Sequence, residues 1–309
     1  MLFGTLWPPV FTPQFVHSFR SAALSPDSDL ATAALMIARI EHPTLDPGPY
    51  LDRLDTLGRE AARRVATAEV VPGDAPPRVD PGGYAQVMAL NDYLFNELHF
   101  VGNEVQYEDP RNSFLNEVLD RRTGLPITLA LLYMEVARRA RVHVEGINFP
   151  GHFLLRCPPR RGQPYSEGLI IDAFHGGAIL SEDACRDLLR RTAGDEAVFD
   201  SQLQGHATKP QILARMLLNL KRTYVQMLSF PQARDVTELL LAVAPSTLNE
   251  IRDRGLLAYR LKDFSAALRD LQRYLQLAPK TPLDEDDRGE HERIWEHVKT
   301  LRRHVASLN

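Results

Sequence analysis

An imidazole held by a carboxylate is the base half of a nucleophilic centre, and His152 and Asp172 are the residues of this chain that could form one. In such a centre the carboxylate orients the ring, and the ring accepts the proton of a thiol or hydroxyl. A thiol nucleophile belongs at the start of a helix, where the positive end of the dipole lowers its pKa. The order helix start, strand histidine, strand aspartate occurs here as Pro126, His152 and Asp172, so the position where a thiol belongs is a proline. Thr128 lies two residues into the same helix, about 200° around its axis, and is expected to face away from the cleft. Cys157 falls five residues after His152 on one expected strand, which puts the two on opposite faces. Cys185 sits in a helical run, Glu182 to Leu189, and reads as a packed apolar residue.

His152 and Asp172 keep two readings: a retained dyad that ties two strands or lines a binding cleft, and an acid/base pair that activates water. A third arrangement, a metal site from His152, Asp172 and His175, has no close-spaced His/Cys pattern behind it, so neither metal nor cofactor is expected. His143, at a strand start, is expected to be exposed. Asn112, Asn116, Glu117, Arg121 and Arg122 form a second polar set beside the cleft mouth. They can cap a helix and pair at i,i+4, Glu117 with Arg121, or they can hold a ligand carboxylate or a peptide.

The elements that would position these groups follow from periodicity. Leu30, Ala34, Ile37 and Ala38 share one helical face, and Leu51, Leu54, Leu57 and Ala61 another, with Asp46-Pro47 at its start. Val71 to Gly83 is a Pro/Gly-rich loop, followed by a helix from about Tyr84 to Leu98. A short helix carries Phe114, Leu115, Val118 and Leu119. Gly124-Leu125-Pro126 then opens a strongly apolar helix to about Arg141, whose basic last turn suits the dipole. Beyond it the period drops to two, giving strands over Val142–Asn148, Gly151–Cys157 and Gly168–Asp172, with a polar turn over 158–164. Helix followed by consecutive strands predicts an antiparallel sheet packed on that helix.

From Lys209 onward the chain is helical and repetitive. Pro245 and Pro279 are 34 residues apart, and registering 214–247 on 248–281 superposes Ala233 with Ala267 and Leu217 with Ile251. Gly255 and Ala267 fall at small-residue positions of the tetratricopeptide pattern, and Tyr224 and Ala258 occupy its aromatic slot. A last helix, about Arg288–Ala306, turns Ile294, Val298, Leu301 and Val305 inward behind an acidic entrance at Asp284–Asp287.

Composition excludes several classes. The 309 residues are 44% apolar and 25% charged with net charge −4, so neither a disordered, collagen-like or low-complexity chain nor a polybasic partner for nucleic acid or anionic lipid is indicated. Two cysteines fit a reducing compartment rather than a disulfide framework. No window holds the ~18 apolar residues of a membrane span. Met1–Arg20 carries Pro8, Pro9 and Pro13 and no basic leading segment, which argues against a signal peptide and leaves the segment without an assigned role. A cytoplasmic protein is expected. Gly-x-Gly-x-x-Gly and Gly-Lys-[Ser/Thr] phosphate loops are absent, and basic-aromatic interleaving that would read nucleic acid is missing.

The run Asn112-Ser113-Phe114-Leu115-Asn116-Glu117-Val118-Leu119-Asp120-Arg121-Arg122-Thr123-Gly124-Leu125-Pro126-Ile127-Thr128-Leu129 resembles the bacterial SirB-type family, in which a transglutaminase-like module precedes tetratricopeptide repeats. Val144–Phe153 and Ile171–Gly177 resemble it too, with Ala173 where the family usually has proline. The resemblance spans roughly residues 30–308. It implies an α+β fold: a papain-like transglutaminase core, with a helix packed on an antiparallel sheet, followed by an all-α tetratricopeptide-like region. Active members of the wider superfamily carry Gly-x-Cys at the helix start. Matching Gly124 to that glycine puts Pro126 at the cysteine, while His152 and Asp172 match the rest. The expected organisation is an N-terminal extension (1–28), a transglutaminase-like domain (29–205) and repeats with a capping helix (206–309). The expected function is a catalytically degenerate module that binds a protein or peptide. The alternatives are a hydrolase or amidase in which His152 and Asp172 activate water, and a structural partner in a larger assembly.

Overall fold

A computed structural model describes residues 11–26, 28–69, 75–159, 167–200, 203, 205–278 and 285–308. The chain divides into two compact units, one from Ser25 to Met216 and the other formed by the helix Pro13–Leu24 together with the chain from Leu217 onward. The division falls inside a helix, eleven residues after the expected boundary at 205/206, and residues 13–24 join the C-terminal helices instead of standing as an extension.

That first helix, α1 (Pro13–Leu24), buries Phe19 and Ala23. The central unit begins with α2 (Leu30–Ile37), capped by Asp29, whose Oδ1 accepts from Thr32 N at 2.8 Å. Next comes α3 (Gly48–Ala66), with Pro47 as its N-cap. Then α4 (Pro81–Asn91) starts three residues before the expected point, because the Asp80 carboxylate accepts from Gly82 and Gly83 N–H. Its continuation over Asp92–Glu97 is π-helical, with Leu98 N bonded to Tyr93 O, where one continuous helix was expected.

After β1 (Val101–Gly102), a 3₁₀ turn and α5 (Leu115–Arg121), β2 (Thr123–Gly124) pairs in parallel with β1, a contact too short for periodicity to reveal. The apolar helix α6 (Pro126–Arg139) follows, with all residues from Pro126 to Ala137 buried. It packs on α3 and on the first two strands of a four-stranded antiparallel sheet: β3 (Glu145–Ile147), β4 (Leu154–Cys157), β5 (Leu169–Asp172) and β6 (Ala178–Leu180). The strands are shorter than expected, and β6 was not foreseen. Then α7 (Glu182–Ala193) buries Cys185, Leu188 and Leu189 with Ile147, Phe149, Leu154 and Ile170. Cys185 is thus the packed residue its helical setting implied.

The other unit contains the C-terminal part of α8 (Lys209–Gln226) and stacks α9 (Phe230–Val243), α10 (Leu248–Arg260), α11 (Phe264–Leu277) and α12 (Glu285–Leu308) in sequential order, with α1 against α9. Gly255 permits the α10–α11 approach, since a Cβ there would stand 2.8 Å from Leu271 Cδ2. Tyr224 and Ala258 are both buried, and Ile294, Val298 and Leu301 close the core from α12. Residues 1–10, Pro279, the acidic side chains at 284–287 and the turn over 160–164 lie outside the described residues. Among the described residues, no helix is long and apolar enough to cross a membrane.

Candidate functional site

The strand ends bring His152 and Asp172 together. Asp172 is the last residue of β5, and its carboxylate is buried. His152 lies in the turn before β4 rather than on the strand, so the alternation argument about Cys157 does not apply. Cys157 instead closes β4, buried, its thiol directed at Pro158 O 3.9 Å away. The turn is fixed by His152 N–H donating to Phe149 O at 3.1 Å and by Gly151 at φ +66°, where a Cβ would also meet Thr192 Cβ at 2.6 Å.

Asp172 Oδ1 is 2.9 Å from His152 Nε2, and it accepts from the backbone N–H of Phe174 at 3.0 Å. Oδ2 is 2.7 Å from His175 Nδ1. One carboxylate therefore serves two imidazoles, whose rings lie 5.9 Å apart at 26°. Burial by itself would raise the Asp172 pKa, but the hydrogen bonds and charge of His152 and His175 outweigh it and hold the carboxyl below its ordinary value. The bond through Nε2 leaves His152 Nδ1 as the ring atom available to a reacting group. The turn after Asp172 is pinned from below, where Asn91 Nδ2 donates to Gly177 O at 2.7 Å. His175 had no pairing role in the two-residue reading. Its share depends on the turn beyond β5, which strand periodicity does not specify.

The depressed Asp172 pKa has a definite sign in stability. A group whose pKa is lower in the folded state contributes above its unfolded value and loses the contribution as pH falls through the folded one. Asp172→Asn should therefore melt well below the wild type at pH 7, by roughly 2 kcal/mol for charge-assisted bonds to a buried carboxylate. The gap should close below about pH 4. Thermal melts of both proteins across pH 3 to 7 test this, and a constant gap would contradict it.

Pro126 begins α6 two residues after Gly124, which pairs with Gly102. Gly102 lies against the loop after Asp172: a Cβ there would be 2.6 Å from the Phe174 ring and 2.7 Å from its carbonyl. Phe174 meets His152 edge-on at 6.0 Å. The helix start is thereby joined to the dyad through Gly102 and Phe174. Thr128 is buried, as its angular position implies: its hydroxyl accepts from Leu125 N–H at 2.9 Å and donates to Asn112 O at 2.7 Å. It shapes the helix start and has no proton to spare.

The polar set behaves differently from member to member. Asn112 is fully buried, its amide donating to Gln106 O at 2.7 Å and its Oδ1 accepting from Asn103 and Arg121. Glu117 does not pair with Arg121: it stands 3.1 Å from His42 Nε2, while Arg121 reaches Asn112 Oδ1 and Asp109. The α5 register turns the two side chains to different neighbours. Asn116 is buried with Oδ1 unbonded, and Arg121 Nη1 is likewise buried and unbonded. Arg122 takes the left-handed cap of α5 (φ 57°) and donates to Leu98 O at 3.0 Å.

His152, Asp172 and His175 offer ligand atoms within 4.8 Å of one another. Each imidazole points a nitrogen at a carboxylate oxygen, which is the geometry of a hydrogen-bonded relay.

Comparison with known proteins places these features in context. A family model described as the transglutaminase-like superfamily matches residues 49–218, and one described as a tetratricopeptide repeat matches 220–296. A UPF0162 protein of Xylella fastidiosa (strain Temecula1) is 38% identical over 255 residues, 82% of this chain and 85% of that one. F-box only protein 21 of Mus musculus is 31% identical over 70% of this chain and 34% of its own length. Protein SirB1 of Salmonella typhimurium is 24% identical over 86% of this chain and 91% of its own length.

Proposed function

This chain belongs to the transglutaminase-like superfamily, in its SirB-type form with tetratricopeptide repeats, and we propose that it binds an extended polypeptide in a cleft that no longer performs covalent catalysis. The observation that carries this reading is the state of every candidate nucleophile. Pro126 opens α6, the Thr128 hydroxyl is spent on the backbone, and Cys157 and Cys185 are buried in β4 and α7. Acyl transfer through an enzyme thiol needs a thiolate beside the imidazole, and losing it leaves binding geometry intact. Asn112, Asn116, Glu117, Arg121 and Arg122 are proposed to line or support the peptide path. The repeats add a protein-interaction surface of the kind such arrays provide. Two cysteines without a disulfide suit the reducing, cytoplasmic setting proposed here.

Wild-type protein incubated with casein and dansylcadaverine should incorporate no label, while an array of short random peptides should retain it. That retention should survive His152→Ala. Label incorporation, or an array with no bound spots, would refute the proposal. One observation favours a second reading: His152 is held through Nε2, which orients Nδ1 to take a proton from water. That reading requires hydrolysis of p-nitrophenyl acetate that His152→Ala abolishes.

A further inference from the structure

We propose that Arg215 is the carboxylate-recognition point of this cleft, gripping an acidic side chain or the C-terminal carboxylate of the bound polypeptide beside His152. This rests on the peptide-binding reading and adds to it the charge of the occupant. Arg215 lies on α8 within the central unit. Its Nη1 donates to Phe149 O at 2.8 Å and to Asn148 Oδ1, both neutral acceptors. Phe149 O is also the acceptor for His152 N–H, so the guanidinium is attached to the turn that aims the histidine.

The remaining donors, Nε and Nη2, have no partner among the described residues, and no carboxylate there lies within ion-pair reach of Arg215. The contrast with other sheltered arginines is chemical. Arg139 meets Asp55 and Glu135, Arg252 meets Asp253 and Glu290, and Arg254 meets Glu238 and Asp270. Those carboxylates more than offset burial and raise each guanidinium's pKa, whereas burial dominates at Arg215 and lowers it. A half-buried cation whose only hydrogen-bond partners are neutral groups keeps its remaining donors free to take an anion. The surroundings are aromatic: Arg215 stands 6.0 Å over the Phe153 ring, and Tyr107 meets Phe174 edge-on at 6.1 Å. Phe174 in turn touches His152. Unused guanidinium donors beside aromatic walls suit a planar carboxylate that two parallel N–H groups can hold.

The test is a peptide array printed in matched pairs: free C-terminus against C-terminal amide, and Asp/Glu against Asn/Gln at each internal position. Wild-type protein should favour the carboxylate member by about tenfold, and the pairs that respond show whether the terminus or a side chain is read. Arg215→Gln should bring the ratio to unity while peptides still bind, and Arg215→Lys should keep a reduced preference. Because Arg215 also braces the histidine turn, Asn148→Ala serves as a second variant. It weakens the brace, retains the cation, and should leave the preference in place. Equal retention of both members by wild type, an unchanged ratio in a folded Arg215→Gln, or a ratio lost in Asn148→Ala would overturn the assignment and leave peptide binding standing. An array with no bound spots would refute both.

Discussion

A Pro126→Cys variant should acquire a thiol that iodoacetamide alkylates at pH 6 roughly 10- to 100-fold faster than the native Cys157 and Cys185, which are buried as position 126 is. Two features set the size of the effect. The residue would sit at the first position of the 14-residue helix α6, where backbone N–H groups point outward and the dipole favours an anion. The His152 ring, fixed through Nε2 by a buried Asp172, would meet the new thiol as a base already held in place. The substitution restores an N–H that a helix start does not need paired, so the fold should tolerate it. Cys157 and Cys185 are buried and supply a slow internal reference in the same protein. Combining the change with His152→Ala should return the rate most of the way to that of the two native thiols. A folded Pro126→Cys protein whose new thiol alkylates no faster than they do would separate the helix start from the imidazole and remove the basis for a lapsed thiol centre.

The largest stability effect is expected at Gly58, where α3 crosses α6. A Cβ at this position of α3 would lie 2.2 Å from Arg139 Cβ and 2.9 Å from its Cδ. The first of these atoms is fixed to the α6 backbone and cannot swing aside, so the two helices must separate. Arg139 is also anchored to Asp55 at 2.6 Å and to Glu135, and separation would strain that anchor. Gly58→Val should cost about 3 kcal/mol, at the upper end of overpacking. For a unit of this size the melting temperature should fall by roughly 6–12 °C, read by circular dichroism. An unchanged melt would show that α3 and α6 do not cross at this point.

The sequence makes the helix–sheet core and the His152–Asp172 pair legible because both depend on residue type and short-range period. Twelve buried residues in a row over α6 and the switch to period two leave few alternatives. What stays hidden depends on contacts between distant segments. The two-residue strands β1 and β2 carry no period of their own, yet they join Gly124, two residues before α6, to Gly102, which lies against Phe174. His175 reaches Asp172 only through the turn closed by Gly177, and Arg215 looks like any other polar position on an amphipathic helix until Phe149 and Asn148 are brought to it. The placement of His152 fails for a local reason: Gly151 in a left-handed conformation ends the strand pattern before the histidine.

The pairing of α1 with α9 sets an order of events during synthesis. The ribosome makes α1 some 200 residues before its partner, a delay of roughly 10–40 s at ordinary elongation rates. Through that interval the central unit can fold to completion, while Phe19 and Ala23 wait for a surface to cover them. Nascent chains stalled before α9 should therefore show a protease-resistant middle and a cleavable leading helix. They would also be the species that a chaperone with an apolar binding groove is suited to hold.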